Sequence, residues 1–420
     1  MISTTADDVA AAAVRLRGVI APSPLQPNGR LSAHTDAAVW LKREDLLPVR
    51  SYKLRGAYNL ISQLSEADRA AGVVCASAGN HAQGVAYACA RLGVQARVYL
   101  PRTTPRQKRD RVAFLGGDVV DVRVVGDGYD DAAEAAARDA VSTGATQVPP
   151  FDDPRTVAGQ GTVVREVISQ LGREPDMLVV PVGGGGLLAG TLVLLRERHP
   201  EVRVVGVEPA GAACMAAAIA AGEPVDLEEV DPFVDGAAVR RAGAVTHPIV
   251  AAGVADGTAS LATVPEGLVC VEMLQLYQAD GIIAEPAGAL ATAALAGGVV
   301  EVPSGATVVC LLSGGNNDVS RYAEVVERAL VHEGRKHYFL VDFPQEPGAL
   351  RRFLDDVLGP DDDITLFEYV KRNNRETGPA LVGIELGRPE DLDALLKRMH
   401  AAPPHIELVP PDSPLFRFLL

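Results

Sequence analysis

Residues 73–101 have the sequence VVCASAGNHAQGVAYACARLGVQARVYLP, and this stretch decides the fold class of the 420-residue chain. Two apolar runs, VVCAS and VQARVYLP, flank a segment at 80–92 whose apolar residues recur with helical spacing. A further helical pattern begins near residue 104. Strands that alternate with helices indicate βαβ units, and continuously apolar strands are typical of a parallel sheet buried on both faces. The stretch therefore predicts an α/β protein.

The same pattern returns on the C-terminal side of this stretch. A helix is predicted from about residue 187, beside apolar runs that predict further parallel strands. These runs lie at 176–182, 202–209 and 305–315.

A change of pattern marks a predicted domain boundary. The polar segment HEGRK at 332–336 follows a predicted helix at 318–330, so we place one domain at 1–333 and another at 334–420. The second domain is predicted to be a small βαββα-type module with an antiparallel sheet. Its predicted strands are 337–343, 364–372 and 380–386, and its predicted helices are 348–357 and 389–400.

Composition limits the expected partners. Acidic residues number 54 and basic residues 39, the formal net charge is -15, and no stretch concentrates Lys and Arg. Nucleic acid is therefore not an expected partner, because binding its phosphates requires a basic surface. The longest apolar stretch, 286–300, is shorter than the roughly 20 residues of a membrane-spanning helix, so no membrane association is expected.

The termini and cysteines indicate a compartment. Asp7 and Asp8 stand where a signal peptide would carry basic residues, and the five cysteines form no C-x-x-C pair. We therefore expect a cytoplasmic protein with reduced thiols and no metal site.

Four consecutive glycines lie between a predicted strand and a predicted helix. Backbone N–H groups of such a loop can surround a phosphate, and the helix N-terminus adds a partial positive charge. The spacing also fits a dinucleotide fingerprint, with Glu208 near the position of a ribose-binding acid. The loop alone leaves both ligands open, as well as a tight turn that binds nothing. The segment comprises Gly183, Gly184, Gly185 and Gly186, followed by Leu187.

Lys53 lies in SYKLRGAYN (51–59), between an aromatic residue and the apolar face of a predicted helix. A lysine that forms a Schiff base must be partly desolvated so that its amine is neutral at working pH. Taken alone, however, a lysine is more often a solvated surface cation.

Two further segments follow predicted strands. Small residues before an Asn at a helix N-terminus form a nest suited to a carboxylate, although an ordinary helix cap fits equally well. His81 is favoured here as a structural residue over a general base. Ser313 lies at the sheet edge where parallel sheets bind ligands. Its hydroxyl could bind a ligand nitrogen, or the residue could simply form a turn. The first segment comprises Ser77, Ala78, Gly79, Asn80 and His81.

Together these motifs resemble the threonine dehydratases of the tryptophan-synthase-β-like, fold-type II pyridoxal-phosphate enzymes. The family usually has Phe where this chain has Tyr52. The resemblance implies two open, mostly parallel sheets with flanking helices, a smaller subdomain at about 50–150, and an ACT-like α+β C-terminal domain. The motifs are PSPL (22–25), LKREDLLPVRSYKLRGAYN (41–59), SAGNHAQGVA (77–86), PFDDPRTVAGQGTVVREV (150–167), VGGGGL (182–187), VEP (207–209), DGAAVR (235–240), EPAGAL (285–290) and LSGGNND (312–318).

The resemblance also implies roles for the candidate residues. Lys53 would hold pyridoxal 5'-phosphate and act as the general base, and Asn80 would hydrogen-bond the 3'-oxygen of this cofactor. Residues 183–187 would bind the phosphate and residues 77–81 the substrate carboxylate. Ser313 would face the pyridine nitrogen, where a hydroxyl leaves the ring a weak electron sink and favours β-elimination over transamination. The reaction implied is that of threonine ammonia-lyase, and Glu285 and Glu208 have only supporting roles.

The C-terminal segment resembles the ACT-like regulatory domain of biosynthetic threonine dehydratases. The similar stretches are FPQEPGALRRFLDDVLG (343–359), ITLFEYV (364–370) and LVGIEL (381–386). One copy fits, whereas longer family members carry two. The resemblance implies a homotetrameric enzyme of isoleucine biosynthesis. Isoleucine would inhibit this enzyme, and valine would relieve the inhibition. A purely structural dimerisation module is the alternative.

Other functions stay open at this point. A catabolic serine/threonine dehydratase, a serine racemase and a β-replacement enzyme would use the same apparatus on L-serine. An NAD-dependent dehydrogenase could use the glycine loop, and a non-catalytic amino-acid sensor could keep the fold. The regulatory tail favours threonine, and Lys53 disfavours the sensor.

Overall fold

A computed structural model describes residues 4–371, 374–401, 405–411, 413, 415–416 and 419. Residue contacts divide the chain into two compact units, Met1–Asp318 and Val319–Leu420. The domain boundary at 333/334 stays a prediction, and the helix Tyr322–His332 lies within the second of these units.

A six-stranded sheet forms one half of the first unit. Its strand order is β1-β2-β10-β7-β8-β9, and every neighbouring pair is parallel except β1 with β2 at the edge. Every residue of β7 and β10 is buried, which explains why these strands are continuously apolar in the sequence. Numbered in chain order, the strands are β1 (Leu25–Pro27), β2 (Ala38–Arg43), β7 (Met177–Pro181), β8 (Arg203–Pro209), β9 (Ala259–Val264) and β10 (Thr307–Leu312).

A smaller parallel sheet forms the other half of this unit. Its order is β5-β4-β3-β6, and Val73 of the stretch at 73–101 pairs with Ala96. The helix between these two strands spans Asn80–Leu92, the range expected from its sequence. The strands are β3 (Val73–Ala76), β4 (Ala96–Leu100), β5 (Val120–Val124) and β6 (Thr146–Gln147).

Helices cover both sheets of the first unit. Glycines bring α8 and α9 into backbone contact, because a Cβ on Gly161 would lie 2.6 Å from the carbonyl oxygen of Gly190. Within the described residues, no helix is both long and apolar enough to cross a membrane. The helices are α1 (Ala6–Leu16), α2 (Gly29–Thr35), α3 (Lys53–Ile61), α4 (Glu66–Ala71), α5 (Asn80–Leu92), α6 (Arg106–Gly116), α7 (Tyr129–Thr143), α8 (Pro154–Leu171), α9 (Gly186–Arg198), α10 (Cys214–Ala221), α11 (Thr246–Ala255), α12 (Glu266–Gln278) and α13 (Pro286–Ala296).

The second unit is an α+β module. Its antiparallel sheet has the order β12-β13-β11-β14, with Phe339 opposite Val382 in a core that also includes Phe353. The predicted strands and helices are present, but the sequence did not predict the edge strand β14. Its elements are α14 (Tyr322–His332), β11 (Lys336–Pro344), α15 (Ala349–Val357), β12 (Asp363–Tyr369), β13 (Thr377–Glu385), α16 (Leu392–Ala401) and β14 (His405–Val409).

The predicted fold class is confirmed in its main features. The first unit has two mostly parallel sheets with flanking helices, and the second has an antiparallel sheet with helices. The carboxyl ends of β10 and β7 lead directly into the segments that contain Ser313 and the glycine loop. This edge is where parallel sheets bind their ligands.

Candidate active site

Lys53 is the first residue of α3 and is half-buried. Its Nζ donates a hydrogen bond to the carbonyl oxygen of Pro150 at 3.0 Å and lies 5.3 Å from the ring centre of Tyr52 and 6.0 Å from that of Phe151. Burial lowers the pKa of the Lys53 amine to about 8, and the charge of Glu285 opposes this shift. About one-tenth of such an amine is neutral at pH 7, so Lys53 is a competent nucleophile.

A cavity of about 290 Å³ opens beside Lys53. It brings together four predicted site residues from separate segments, namely Lys53, Asn80, Gly183 and Ser313. The other predicted residues of the loops 77–81 and 183–187 are not part of its lining. The lining comprises Tyr52, Lys53, Asn80, Pro181, Val182, Gly183, Gly236, Ala237, Glu285, Ala287 and Ser313.

The glycine loop between β7 and α9 packs closely against Phe151. A Cβ on Gly184 would collide with the ring of Phe151, and one on Gly186 would lie 2.8 Å from the Cβ of Phe151. Gly185 caps α9 with a φ of 92°, which favours glycine. Thr246 Oγ1 donates to the carbonyl oxygen of Gly184 at 2.6 Å and fixes the loop further. The result is a rigid cradle at a helix N-terminus, the arrangement that binds phosphate in many proteins.

The segment 77–81 joins β3 to α5. Gly79 occupies the N-cap position of α5 without a side-chain cap, so the first amides of this helix are not capped by its N-cap residue. His81 is buried, and its Nε2 lies 2.7 Å from the carbonyl oxygen of Val148. Burial and the charge of Lys53 lower the pKa of His81 to about 3. A neutral histidine held in this way fits a structural role better than general base catalysis.

Asn80 is held by two side chains, Glu285, to which sequence analysis gave only a supporting role, and Asn316, which it did not place in the site. Its Nδ2 donates to Glu285 Oε1 at 2.5 Å, and its Oδ1 accepts from Asn316 Nδ2 at 2.6 Å. Glu285 is buried, and burial, followed by the nearby charge of Asp235, raises its pKa to about 7. Both partners lie in the quoted motifs EPAGAL and LSGGNND, which is the signal that could have identified them.

Ser313 follows the last residue of β10 and is buried. Its hydroxyl donates to the carbonyl oxygen of Ala287 at 3.2 Å, and its own carbonyl accepts the N–H of Tyr52 at 3.1 Å. The second contact ties the strand edge directly to the residue before Lys53. A neutral hydroxyl is therefore present in the pocket at this edge of the sheet.

A buried network of charges holds α3 on its other side. Arg55 Nε lies 2.7 Å from Glu44 Oε2, and Arg55 Nη1 lies 2.7 Å from Glu166 Oε1. Lys42 Nζ joins the network at 2.7 Å from Glu166 Oε2. Burial works against the charge of Arg55, but Glu44 and Glu166 outweigh it and raise the pKa of the guanidinium. Since residues two apart on a helix point in nearly opposite directions, this network fixes α3 while Lys53 faces the cavity.

Glu208 lies at the end of β8 but is occupied elsewhere. Its two carboxylate oxygens accept the N–H groups of Met215 and Ala216 at 2.7 and 2.8 Å, at the start of α10. Burial raises its pKa to about 7. Because both oxygens cap a helix, the site gives no support to Glu208 as the ribose ligand of a dinucleotide.

The residues present fit pyridoxal phosphate. The cofactor needs an amine with a lowered pKa, an anion cradle, and polar groups for its ring oxygen and nitrogen. Lys53, Gly183, Asn80 and Ser313 line one cavity, and the rest of the glycine loop follows Gly183 at the start of α9.

Comparison with known proteins agrees with this chemistry. Residues 16–314 match a family described as "Pyridoxal-phosphate dependent enzyme", and residues 327–419 match the "C-terminal regulatory domain of Threonine dehydratase". The chain is 64% identical to the L-threonine dehydratase biosynthetic IlvA of Mycobacterium tuberculosis, over 100% of this chain and 97% of the relative. It is 47% identical to the protein of the same name from Bacillus subtilis, over 96% of this chain and 95% of the relative.

Solved structures show the same similarity for much of the chain. The processed form of threonine deaminase isoform 2 from Solanum lycopersicum is 36% identical with a TM-score of 0.71, covering 78% of this chain and 95% of that chain. Maize serine racemase is 27% identical with a TM-score of 0.71, covering 79% of this chain and 99% of that chain.

Proposed function

This chain belongs to the biosynthetic L-threonine dehydratase family of pyridoxal-phosphate-dependent enzymes, and we propose on that premise that it converts L-threonine to 2-oxobutanoate and ammonia. The observation that carries the proposal is similarity along the whole chain, regulatory segment included, to relatives with that name. The cavity beside Lys53 supports it, because it combines the groups that this cofactor requires.

Lys53 is proposed as both the anchor of the cofactor and the general base. When bound, pyridoxal phosphate withdraws electrons from the amino nitrogen of the substrate and so acidifies its Cα–H bond. The ε-amino group of Lys53 takes the proton from Cα, and the β-hydroxyl accepts a proton as it leaves as water, so the number of protons is unchanged. The enamine that results takes a proton at Cβ and is hydrolysed by water, so the net change is threonine to 2-oxobutanoate and ammonia without a redox step.

The remaining site residues are proposed to bind and orient. The glycine loop and Leu187 at the start of α9 would hold the phosphate, and Asn80 the 3'-oxygen. Ser313 would face the ring nitrogen, where a neutral hydroxyl donates no full charge and so favours elimination over transamination. The loop 77–81 would hold the substrate carboxylate at the start of α5, so that the Cα–H bond is oriented toward Lys53.

Serine is the main rival substrate, because maize serine racemase has the same fold with a TM-score of 0.71. The discriminating experiment measures 2-oxo acid formation from L-threonine and L-serine side by side, with isoleucine titrated into both assays. We expect faster turnover of threonine, inhibition by isoleucine, and relief by valine. Faster turnover of serine without inhibition would instead establish a catabolic dehydratase, and interconversion of serine enantiomers would establish a racemase.

Isoleucine inhibition is proposed to act through the second unit, in a cytoplasmic homotetramer. A shortened chain that ends at Asp318 tests this, because the first compact unit ends at that residue. We expect it to remain active on threonine and to ignore isoleucine. Undiminished inhibition of the shortened chain would show that the second unit is not the sensor.

A further inference from the structure

A directional chain of hydrogen bonds runs from a backbone carbonyl to a carboxylate at the wall of the cavity. Asn316 Nδ2 donates to the carbonyl oxygen of Val49 at 2.8 Å and to Asn80 Oδ1 at 2.6 Å. Asn80 Nδ2 in turn donates to Glu285 Oε1 at 2.5 Å. These hydrogen bonds join four separate segments of the polypeptide, with Asn80 and Asn316 as the central members.

The direction of this chain follows from its first member. An amide side chain can be turned with either its oxygen or its nitrogen toward a neighbour, and only its partners decide which. The carbonyl oxygen of Val49 can only accept, so Asn316 must present its NH₂ group. Because this NH₂ group also donates to Asn80, the side-chain oxygen of Asn80 must be the acceptor. The nitrogen of Asn80 is left facing Glu285, whose Oε1 accepts its hydrogen bond.

The consequence for the cavity is a hydrogen-bond donor of fixed orientation. The Nδ2 of Asn80 carries two hydrogens, and the bond to Glu285 uses one of them. Since Asn80 lines the cavity and its oxygen is bound to Asn316, the second hydrogen is available to a ligand acceptor. Hydrogen bonds in such a chain polarise one another, which strengthens the terminal donor.

Backbone contacts hold the segments that carry these hydrogen-bonded side chains. Glu285 N–H donates to the carbonyl oxygen of Gly314 at 3.2 Å, and Ser51 forms a β-bridge with Gly314. A Cβ on Gly314 would collide with the carboxylate of Glu285, so this position requires glycine. The loop after β10 thus supplies the Asn316 side chain, and its Gly314 leaves room for the carboxylate of Glu285.

We propose that Asn316 and Glu285 are positioning residues that fix Asn80 as a donor toward the 3'-oxygen of pyridoxal phosphate, with the direction set by the Val49 carbonyl. This inference rests on the proposed function, because it requires that cofactor in this cavity. An oxygen that carries negative charge gains most from a donor held in this way, since charge-assisted hydrogen bonds are the stronger ones. The two residues act through Asn80 and do not touch the reacting atoms.

The test is the nearly isosteric variant Asn316→Asp in the full chain. A carboxylate at this position cannot donate, so it removes the hydrogen bonds to Val49 and to Asn80 and frees the Asn80 amide to turn. We expect the Kd for pyridoxal phosphate to rise at least about tenfold, which corresponds to about 1.4 kcal/mol. We also expect the absorption maximum of the bound cofactor to shift, because the charge on its 3'-oxygen is less stabilised. Asn316→Ala removes the same donors without adding charge, and serves if the aspartate variant does not fold.

Two control variants separate positioning from general loss of stability. Asn28 Oδ1 accepts from Leu31 N–H at 2.8 Å as the cap of α2, and an aspartate can accept equally well, so Asn28→Asp should match the original protein. Glu272→Gln weakens a buried ion pair with Arg30 that is not part of the cavity lining. The Kd of Glu272→Gln shows how much cofactor affinity is lost through reduced stability alone. The Asn316 variants are compared with it at an equal loss of Tm, measured on the cofactor-free proteins.

The outcomes are distinct. The inference is overturned if the Asn316 variants bind the cofactor with unchanged Kd and absorption, or lose no more affinity than Glu272→Gln at the same loss of Tm. If the unaltered protein binds no pyridoxal phosphate, the proposed function itself fails. A shifted absorption maximum with a Kd that rises more than Glu272→Gln raises it at the same loss of Tm supports the proposed role.

Discussion

Lys42 and Lys53 are both withdrawn from water, yet their surroundings differ. Lys42 is fully buried, and its Nζ has three acceptors, the carbonyl oxygen of Ser23 at 2.7 Å, Glu166 at 2.7 Å and Gln170 at 3.0 Å. Lys53 has the carbonyl oxygen of Pro150 and two aromatic rings beside it. Burial lowers the pKa of both amines, and at Lys42 the charges of Glu44 and Glu166 oppose the shift.

The difference indicates that the number of acceptors at the amine, together with burial, distinguishes the ion-paired Lys42 from Lys53, the proposed nucleophile. An ammonium with three acceptors has each of its hydrogens satisfied and is held as a fixed cation. An amine such as Lys53, with one acceptor among the residues that the structure describes, loses less when it becomes neutral and forms a covalent bond. The start of α3 keeps the two regions apart, with Arg55 in the charge network and Lys53 beside the cavity.

The largest expected effect is that of Lys53→Ala on turnover. The variant removes both the anchor of the cofactor and the proposed general base, whose loss alone costs about 10²–10⁴-fold in rate. We expect threonine turnover to fall by at least about a thousandfold, and the yellow absorption of the purified protein to disappear. Borohydride treatment and peptide mapping of the unaltered protein check the same point. Labelling of Lys42 would reverse the assignment of the two lysines.

The next largest effect is expected in stability, from Lys42→Met. Removing one partner of a buried ion pair typically costs about 3–5 kcal/mol, because the remaining charge is left without compensation. Arg55 still pairs with Glu166, so we expect a value near the lower limit, measured by urea unfolding of the cofactor-free protein. Lys53→Met is the matched control, and it should lose less than about 1 kcal/mol because its amine has a lowered pKa and few acceptors. Equal losses in the two variants would remove the proposed distinction.

A smaller effect is expected in the pH dependence of cofactor capture. Only the neutral amine attacks the aldehyde, and the pKa of Lys53 is about 8. The rate of pyridoxal phosphate capture by the cofactor-free protein should therefore fall about tenfold from pH 9 to pH 7. Because Glu285 raises the pKa of Lys53, Glu285→Gln should move this decline to lower pH. Stopped-flow absorbance measures both curves, and a shift to higher pH would contradict the assigned charge coupling.

The smallest effect is expected from Tyr52→Phe. The ring of Tyr52 lies against Lys53 and lines the cavity, and the substitution preserves this packing. We expect kcat/KM for threonine to stay within about twofold, as measured by 2-oxo acid formation. A tenfold loss would show that the hydroxyl takes part in the reaction.

Sequence patterns predicted the buried parts of the fold well and its edges poorly. The helix Asn80–Leu92 and the central strands β3, β4, β7, β8 and β10 were predicted because their apolar residues are continuous or periodic. The sequence did not predict the strands β1, β2, β5, β6, β9 and β14, and all of these except β2 lie at the edge of their sheets. Edge strands bury only part of their surface, so they carry a weak hydrophobic signal. The helix predicted at 318–330 begins instead at Tyr322, after a short 3₁₀ turn.

The candidate site was predictable in its side chains but not in its backbone partners. Motifs identified Lys53, Asn80, Gly183 and Ser313, which line one cavity. The acceptors Pro150 and Val49 act through main-chain carbonyls, which every residue type possesses, so no sequence pattern could identify them. Asn316 lies within a quoted motif, but its role depends on long-range contacts.

The phenyl ring of Phe151 beneath the glycine loop has a consequence for how the cofactor is received. The ring fills the volume that side chains at Gly184 and Gly186 would need, so the loop adopts its shape when the chain folds. The entropy of ordering this segment is then lost during folding rather than during association, which favours tight retention of a small anion. Replacing Phe151 with a smaller residue would therefore weaken binding of the proposed phosphate ligand without removing any of the groups proposed to contact it.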